Sequence, residues 1–256
     1  MYSDGKKITK LLYVIVLSEE SNAILEKDKF IKDEVISKEY ANILEAFVLK
    51  KDSTETIIVR PLEDPMHSTS LFGTEIAFFI TYIGIKLFSP DLVLSIGYAG
   101  EVLLSEDDKP LGLGSVVIAR EHSVYHRREM IIKFYENTSQ GLYPVLSCEA
   151  LVKQHGFHSY KVGTSNSFVR LDTIAITKKI KVVEMELCSV ARACLYFKTP
   201  CIGVKIISDG GNQDTTEEEK VQEFLDSLPL LKRKFFETFE IINNYLLSGN
   251  KSVSDL

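Results

Sequence analysis

Short apolar runs rich in β-branched residues recur along the chain, separated by longer stretches with helical spacing, and this alternation restricts the fold more than any other feature. Leu11–Leu17, Thr56–Val59, Leu92–Ile96, Ser115–Ala119, Lys181–Met185 and Cys201–Ser208 read as strands. Several are apolar on both faces, the pattern of central strands covered on each side. Between them, Ser70–Phe88 and Glu186–Phe197 carry apolar positions at helical period. The expected fold class is therefore α/β: a single domain over residues 1–256, with a central mixed or mostly parallel β-sheet surrounded by helices. Ligands of such sheets bind at the carboxyl ends of the strands.

The C-terminal segment has the cleanest helical pattern. Phe224, Leu228, Leu231, Phe235, Phe239, Ile242 and Leu246 fall at three- and four-residue steps and form one apolar stripe. Pro229 lies inside it and predicts a break or a new helix start, capped by Asp226 or Ser227. Upstream, Glu217, Glu218 and Glu219 suit the first turn of a helix, where carboxylates complement the macrodipole.

Charge narrows the partners. The formal net charge is −6, so neither nucleic acid nor an anionic membrane surface is favoured, and a small ligand suits the balance better. The apolar run near the N-terminus is too short to span a bilayer and lacks a small-residue cleavage site, which leads to the expectation of a cytoplasmic protein. Cys148, Cys188, Cys194 and Cys201 show no Cys-x-x-Cys spacing and no accompanying histidine cluster. Free buried thiols are expected, with neither a metal site nor a cofactor.

Three segments place polar groups where a strand should end. In Ser95-Ile96-Gly97-Tyr98-Ala99-Gly100 the two glycines predict a tight turn that lets backbone N–H groups approach a ligand. In Val182-Val183-Glu184-Met185-Glu186-Leu187 two carboxylates interrupt an apolar context, and a buried carboxylate is costly unless hydrogen-bonded or catalytic. In Val204-Lys205-Ile206-Ile207-Ser208-Asp209-Gly210-Gly211 an aspartate closes a buried strand, as either a cap or a general acid.

Taken in this order and spacing, the Gly-x-Ala-Gly, Val-Glu-Met-Glu and Ser-Asp elements resemble the nucleoside phosphorylase and nucleosidase superfamily. Within it the chain is most similar to the 5′-methylthioadenosine/S-adenosylhomocysteine nucleosidases of the plant-type branch. The resemblance implies hydrolysis of the N-glycosidic bond of such purine nucleosides, in purine and methionine salvage, by a homodimer whose neighbour closes part of each site. Glu186 would bind the ribose hydroxyls, with Met185 packed on the sugar and Glu184 nearby. Asp209, supported by Ser208, would protonate the purine at N7, and Phe168 and Val169 would hold the base. The family's water-activating glutamate falls on Ser21 in an ungapped alignment, with Glu20 one residue away, so either side chain is a candidate for that side of the sugar. Tyr98 replaces a small residue beside Gly97, where its ring would narrow the pocket or bond to Asp209. A phosphorylase would need arginines at phosphate, for which Arg60, Arg127 and Arg128 are candidates; a nucleoside-binding homologue with little turnover is the other alternative.

Overall fold

The structure is a computed structural model and describes residues 5–41, 43–167, 173–210, 216–248 and 251–256. Its first half begins with β1 (Lys10–Val14), α1 (Ser18–Leu25), β2 (Ile31–Lys32) and α2 (Glu34–Glu39). It continues through β3 (Leu44–Lys51), β4 (Thr54–Pro61), α3 (Thr74–Phe88) and β5 (Leu92–Glu101). The middle of the chain contains β6 (Val116–Tyr125), α4 (Glu136–Gln140), β7 (Tyr143–Pro144), α5 (Glu149–His155) and β8 (His158–Thr164). Last come α6 (Thr173–Thr177), β9 (Val182–Glu184), α7 (Leu187–Phe197), β10 (Cys201–Asp209) and α8 (Glu217–Leu247).

The strands join in one ten-stranded mixed sheet. Parallel pairings link β4, β1, β5 and β10, while β10 meets β6 and β5 meets β9 in antiparallel fashion. With β6–β8 and β8–β9 also paired, β5, β10, β6, β8 and β9 close into a ring, and β1, β4, β3 and β2 extend from it. Alternate side chains of β1, β5 and β10 feed two cores. Leu92, Leu94, Ile96 and Tyr98 face one shared with α1, α5 and α8, and Val93 and Ala99 face the other, shared with α3 and α7.

Two expectations change. The alternation at Gly97–Gly100 does not end in a turn, because β5 runs through to Glu101 and pairs with β10 as far as Gly100. The C-terminal helix does not break at Pro229 either; α8 is continuous, and Pro229 sits on its exposed side. An interior proline costs roughly 3 kcal/mol. Leu231, Phe235, Phe239, Ile242 and Leu246 are each at most 1 % exposed, and burial of each such side chain contributes about 1.5–3 kcal/mol, which outweighs that cost. Asp226 and Ser227 therefore cap nothing; the Ser227 hydroxyl donates to Phe224 O at 2.8 Å within the helix. The cap lies at Thr216, whose Oγ1 accepts from Glu219 N while Glu219 Oε2 accepts from Thr216 N. The four cysteines are buried free thiols.

Candidate active site

Carboxylates converge where β1, β5, β9 and β10 end. Glu20 stands in the first turn of α1, immediately beyond β1, and is 3 % exposed. Its Oε1 accepts from the Tyr98 N–H at 2.7 Å and its Oε2 from the Leu17 N–H at 3.4 Å. Burial pushes its pKa up to about 7, against the opposing pull of the Tyr98 N–H and Lys205. Gly97 gives this carboxylate its room. A Cβ there would stand 3.2 Å from Glu20 Oε1 and 3.5 Å from Lys205 Nζ. The glycine serves close approach across a strand and not a turn.

Lys205 lies mid-strand in β10, 1 % exposed, with Nζ 2.7 Å from Glu184 Oε2 and 3.9 Å from Glu186 Oε2. The two glutamates differ sharply. Glu184 accepts from the Thr164 hydroxyl, from Glu186 N at 3.0 Å and from Leu187 N at 2.8 Å, in addition to Lys205. Its oxygens are engaged by protein donors, so it ties β9 to the start of α7 from behind the cluster. Glu186, the N-cap residue of α7, retains 15 % side-chain exposure. Burial first, and then repulsion from Glu184, push its pKa up to about 8, against Lys205 and a hydrogen bond from the Gly73 backbone. Met185 is half-buried between them.

Asp209 closes β10 after an irregularity in register that sets it opposite Gly100, and such bulges re-aim side chains. A Cβ on Gly100 would stand 2.7 Å from Asp209 Oδ1. The Ser208 hydroxyl donates to Ala99 O at 3.3 Å, fastening the strand end. Both glycines of β5 thus make space for a carboxylate.

Other candidates lie elsewhere. Ser21 is fully buried and points away from the cluster, because neighbouring residues of a helix project about 100° apart. Its hydroxyl donates to Ser18 O at 3.0 Å and accepts from Arg60 Nη1 at 2.9 Å. The structure brings Glu20 to the cluster and leaves Ser21 out of it. Tyr98 turns its ring edge-on to Phe235 (5.5 Å between centroids) and Phe224 (6.3 Å), in the core under α8, and does not bond to Asp209. Arg60 is committed to Glu45, Ser21 and Asn22. Arg128 is exposed, stacked 3.6 Å over Tyr125. Phe168 and Val169 lie outside the described residues. The segment leading to them is anchored by Asn166, whose Oδ1 accepts from Thr74 N and whose Nδ2 donates to Thr74 Oγ1 and Glu75 Oε2, each at 2.9 Å.

Sequence reasoning missed Lys205, Gly73 and Asn166. Lys205 alone carried a visible mark, a cation in the middle of an apolar strand. Among the described residues no group of three or more His, Cys, Asp or Glu side chains could hold a metal ion, and no helix is long and apolar enough to cross a membrane.

The chain that folds into this mixed sheet belongs to the phosphorylase superfamily, whose family model matches residues 72–242. Among individual proteins, it is 23 % identical to the 5′-methylthioadenosine/S-adenosylhomocysteine nucleosidase of Arabidopsis thaliana, over 99 % of this chain and 97 % of that one. The nucleosidase of the same name from Lysinibacillus sphaericus is 30 % identical over 50 % of this chain and 61 % of its own length. The apo structure of Arabidopsis 5′-methylthioadenosine nucleosidase superposes with a TM-score of 0.86 at 20 % identity, covering 98 % of this chain and all of that one. Helicobacter pylori futalosine hydrolase also shares the fold, with a TM-score of 0.71 at 19 % identity over 93 % of this chain and 99 % of that one.

Proposed function

We propose that the protein is a purine nucleosidase that hydrolyses the N-glycosidic bond of 5′-substituted adenosines of the methylthioadenosine and S-adenosylhomocysteine type. The observation that carries this reading is the Glu20 carboxylate, held beside Lys205 and Glu186 at the same strand ends that present Asp209. The names of the two relatives point to the same chemistry.

In this reading the bond between C1′ and the purine nitrogen breaks as the sugar gains oxocarbenium character. The bonding pair leaves on the base, and a proton from Asp209 at N7 neutralises it. Water adds to C1′ and gives its proton to Glu20, whose pKa near 7 suits a general base at neutral pH. Glu186 accepts hydrogen bonds from the ribose hydroxyls and Met185 packs against the sugar. Glu184 and Lys205 fix Glu186 and temper the charge. Phe168 and Val169 receive the base.

The reading extends to a cytoplasmic homodimer of single-domain subunits. Exposed apolar side chains on α3 and α7 (Phe79, Tyr82, Leu195 and Tyr196) support an interface there. The test of the chemistry is release of adenine from methylthioadenosine in phosphate-free buffer. Release that requires phosphate would make the protein a phosphorylase. Turnover unchanged in Glu20→Gln would remove Glu20 as the base.

A further inference from the structure

Glu20 sits on a helix of only eight residues. Helices this short have little stability of their own, so their orientation is imposed by what they pack on. On the apolar side Ala23 and Ile24 enter the core under α8. Contacts of that kind set the rotation of a helix only coarsely, because apolar attraction is non-directional. Apart from the Tyr98 N–H on Glu20 itself and a 3.4 Å contact between the Ser18 and Ser70 hydroxyls, the side-chain hydrogen bonds that tie α1 to the sheet lead to one residue of β4. Arg60 Nη1 donates to Ser21 Oγ at 2.9 Å and to Asn22 Oδ1 at 2.7 Å.

Arg60 is itself held rigidly. Its Nε and Nη2 donate to Glu45 Oε2 at 3.0 and 2.8 Å, and Glu45 Oε1 takes the Lys32 ammonium at 2.5 Å. The guanidinium also lies over the Phe47 ring, 5.0 Å from its centroid. One edge of the planar fork is thus fixed to β3 and the other grips α1, a division that a point-like ammonium cannot reproduce. The grip falls on the residues directly after Glu20.

We propose that Arg60 is a positioning residue for Glu20: by holding Ser21 and Asn22 it sets the rotation of α1 that turns the Glu20 carboxylate onto the Tyr98 N–H and toward Lys205. This rests on the reading of Glu20 as the base for its kinetic consequence, though not for its geometry. It also gives Ser21 a role as the fixed point of the helix carrying the base. A misplacement of about 1 Å at a reacting group costs on the order of 100-fold in rate, which is the scale of displacement that freeing α1 permits.

The experiment compares Arg60→Lys, Ser21→Ala, Glu20→Gln and the Arg60→Lys/Glu20→Gln double variant, with methylthioadenosine as the probe. Arg60→Lys should lower kcat about 10- to 100-fold with KM little changed, and Ser21→Ala, which removes one of the two contacts and leaves Arg60 paired, should have a smaller effect in the same direction. In the Glu20→Gln background Arg60→Lys should add no further loss. Equal losses in both backgrounds would overturn the proposal. In parallel, the Glu20 carboxyl is titrated by carbon NMR in the wild type and Ser21→Ala. The groups facing it are Glu19 on its own helix, Tyr98 on β5, Lys205 on β10 and Glu186 at the start of α7. All of these are intact in Ser21→Ala, so a shifted titration means a moved carboxylate, and an unmoved one overturns the proposal. If Glu20→Gln keeps full turnover, the base reading fails, and the positioning claim is decided by the titration alone.

Discussion

Among the described residues two lysines are buried, each flanked by two carboxylates, and their surroundings differ. Lys181 is 4 % exposed and bonds to Asp108 at 2.7 Å, Glu101 at 3.3 Å and the Lys109 carbonyl at 3.0 Å. Its acids are completed by backbone donors: Leu111 N and Gly112 N on Glu101, and Leu104 N on Asp108. The backbone N–H of Leu104, followed by Lys181, holds the Asp108 carboxyl below its ordinary range. Lys205 is as deeply buried, and Glu184 is completed in the same way, while Glu20 accepts from the Tyr98 and Leu17 N–H groups and Glu186 from the Gly73 backbone. Despite these donors Glu186 and Glu20 keep raised pKa values, for which burial is the first cause. A satisfied buried network rigidifies a structure, and one short of donors is costly. The first fastens the segment between β5 and β6. The raised carboxylates of the second coincide with the candidate site, and perturbed pKa values of this kind cluster at functional sites.

Amide substitutions at the candidate site and in the Lys181 network should have opposite consequences. Asp209→Asn keeps size and removes the transferable proton, so adenine release should fall by about two to four powers of ten while the melting temperature hardly moves. Asp108→Asn should do the opposite, lowering stability and leaving turnover in the folded protein intact. Similar kinetics for the two variants would remove Asp209 as the proton donor.

Removal of each lysine sharpens the contrast. Lys205→Met and Lys181→Met each strand buried carboxylates, and breaking such a pair costs about 3–5 kcal/mol in denaturant unfolding. Only the first should change the pH profile. Lys205 lowers the pKa of Glu20, so without it the carboxyl holds its proton to higher pH. Turnover that needs the ionised base rises through about 7 in the wild type, and this acidic limb should move upward in Lys205→Met and stay in place in Lys181→Met.

Much of the architecture was legible because it follows from periodicity: β10 and α7 lie close to the stretches whose patterns announced them. β3 and β8 were missed, since the half-exposed strands Leu44–Lys51 and His158–Thr164 carry charges that dilute an apolar run. The Gly97–Gly100 segment was misjudged because glycine marks both turns and close approaches, and only the partner carboxylates distinguish the two. Ser21 and Glu20 could not be told apart in sequence. Helix rotation decides between them, and that is set by Arg60, 39 residues away from Ser21 along the chain.

The smallest expected effect concerns Tyr98, which stands where the resemblance implies a small residue. Its hydroxyl is buried and has no hydrogen-bond partner among the described residues, and the same holds for Tyr13 deeper in that core, 4.9 Å from Phe239 between ring centroids. An unsatisfied buried hydroxyl costs about 1–3 kcal/mol. Tyr98→Phe and Tyr13→Phe should therefore each raise stability, by roughly 1 kcal/mol once the lost dispersion of the oxygen is deducted. The two differ in position, because the Tyr98 backbone N–H holds Glu20 whereas Tyr13 lies within β1. A pure core role predicts equal gains in thermal stability and an unchanged KM for methylthioadenosine in both variants. If Tyr98→Phe instead raises KM while Tyr13→Phe does not, the Tyr98 hydroxyl finds its missing partner in the substrate and belongs with Glu20 and Glu186 in the site.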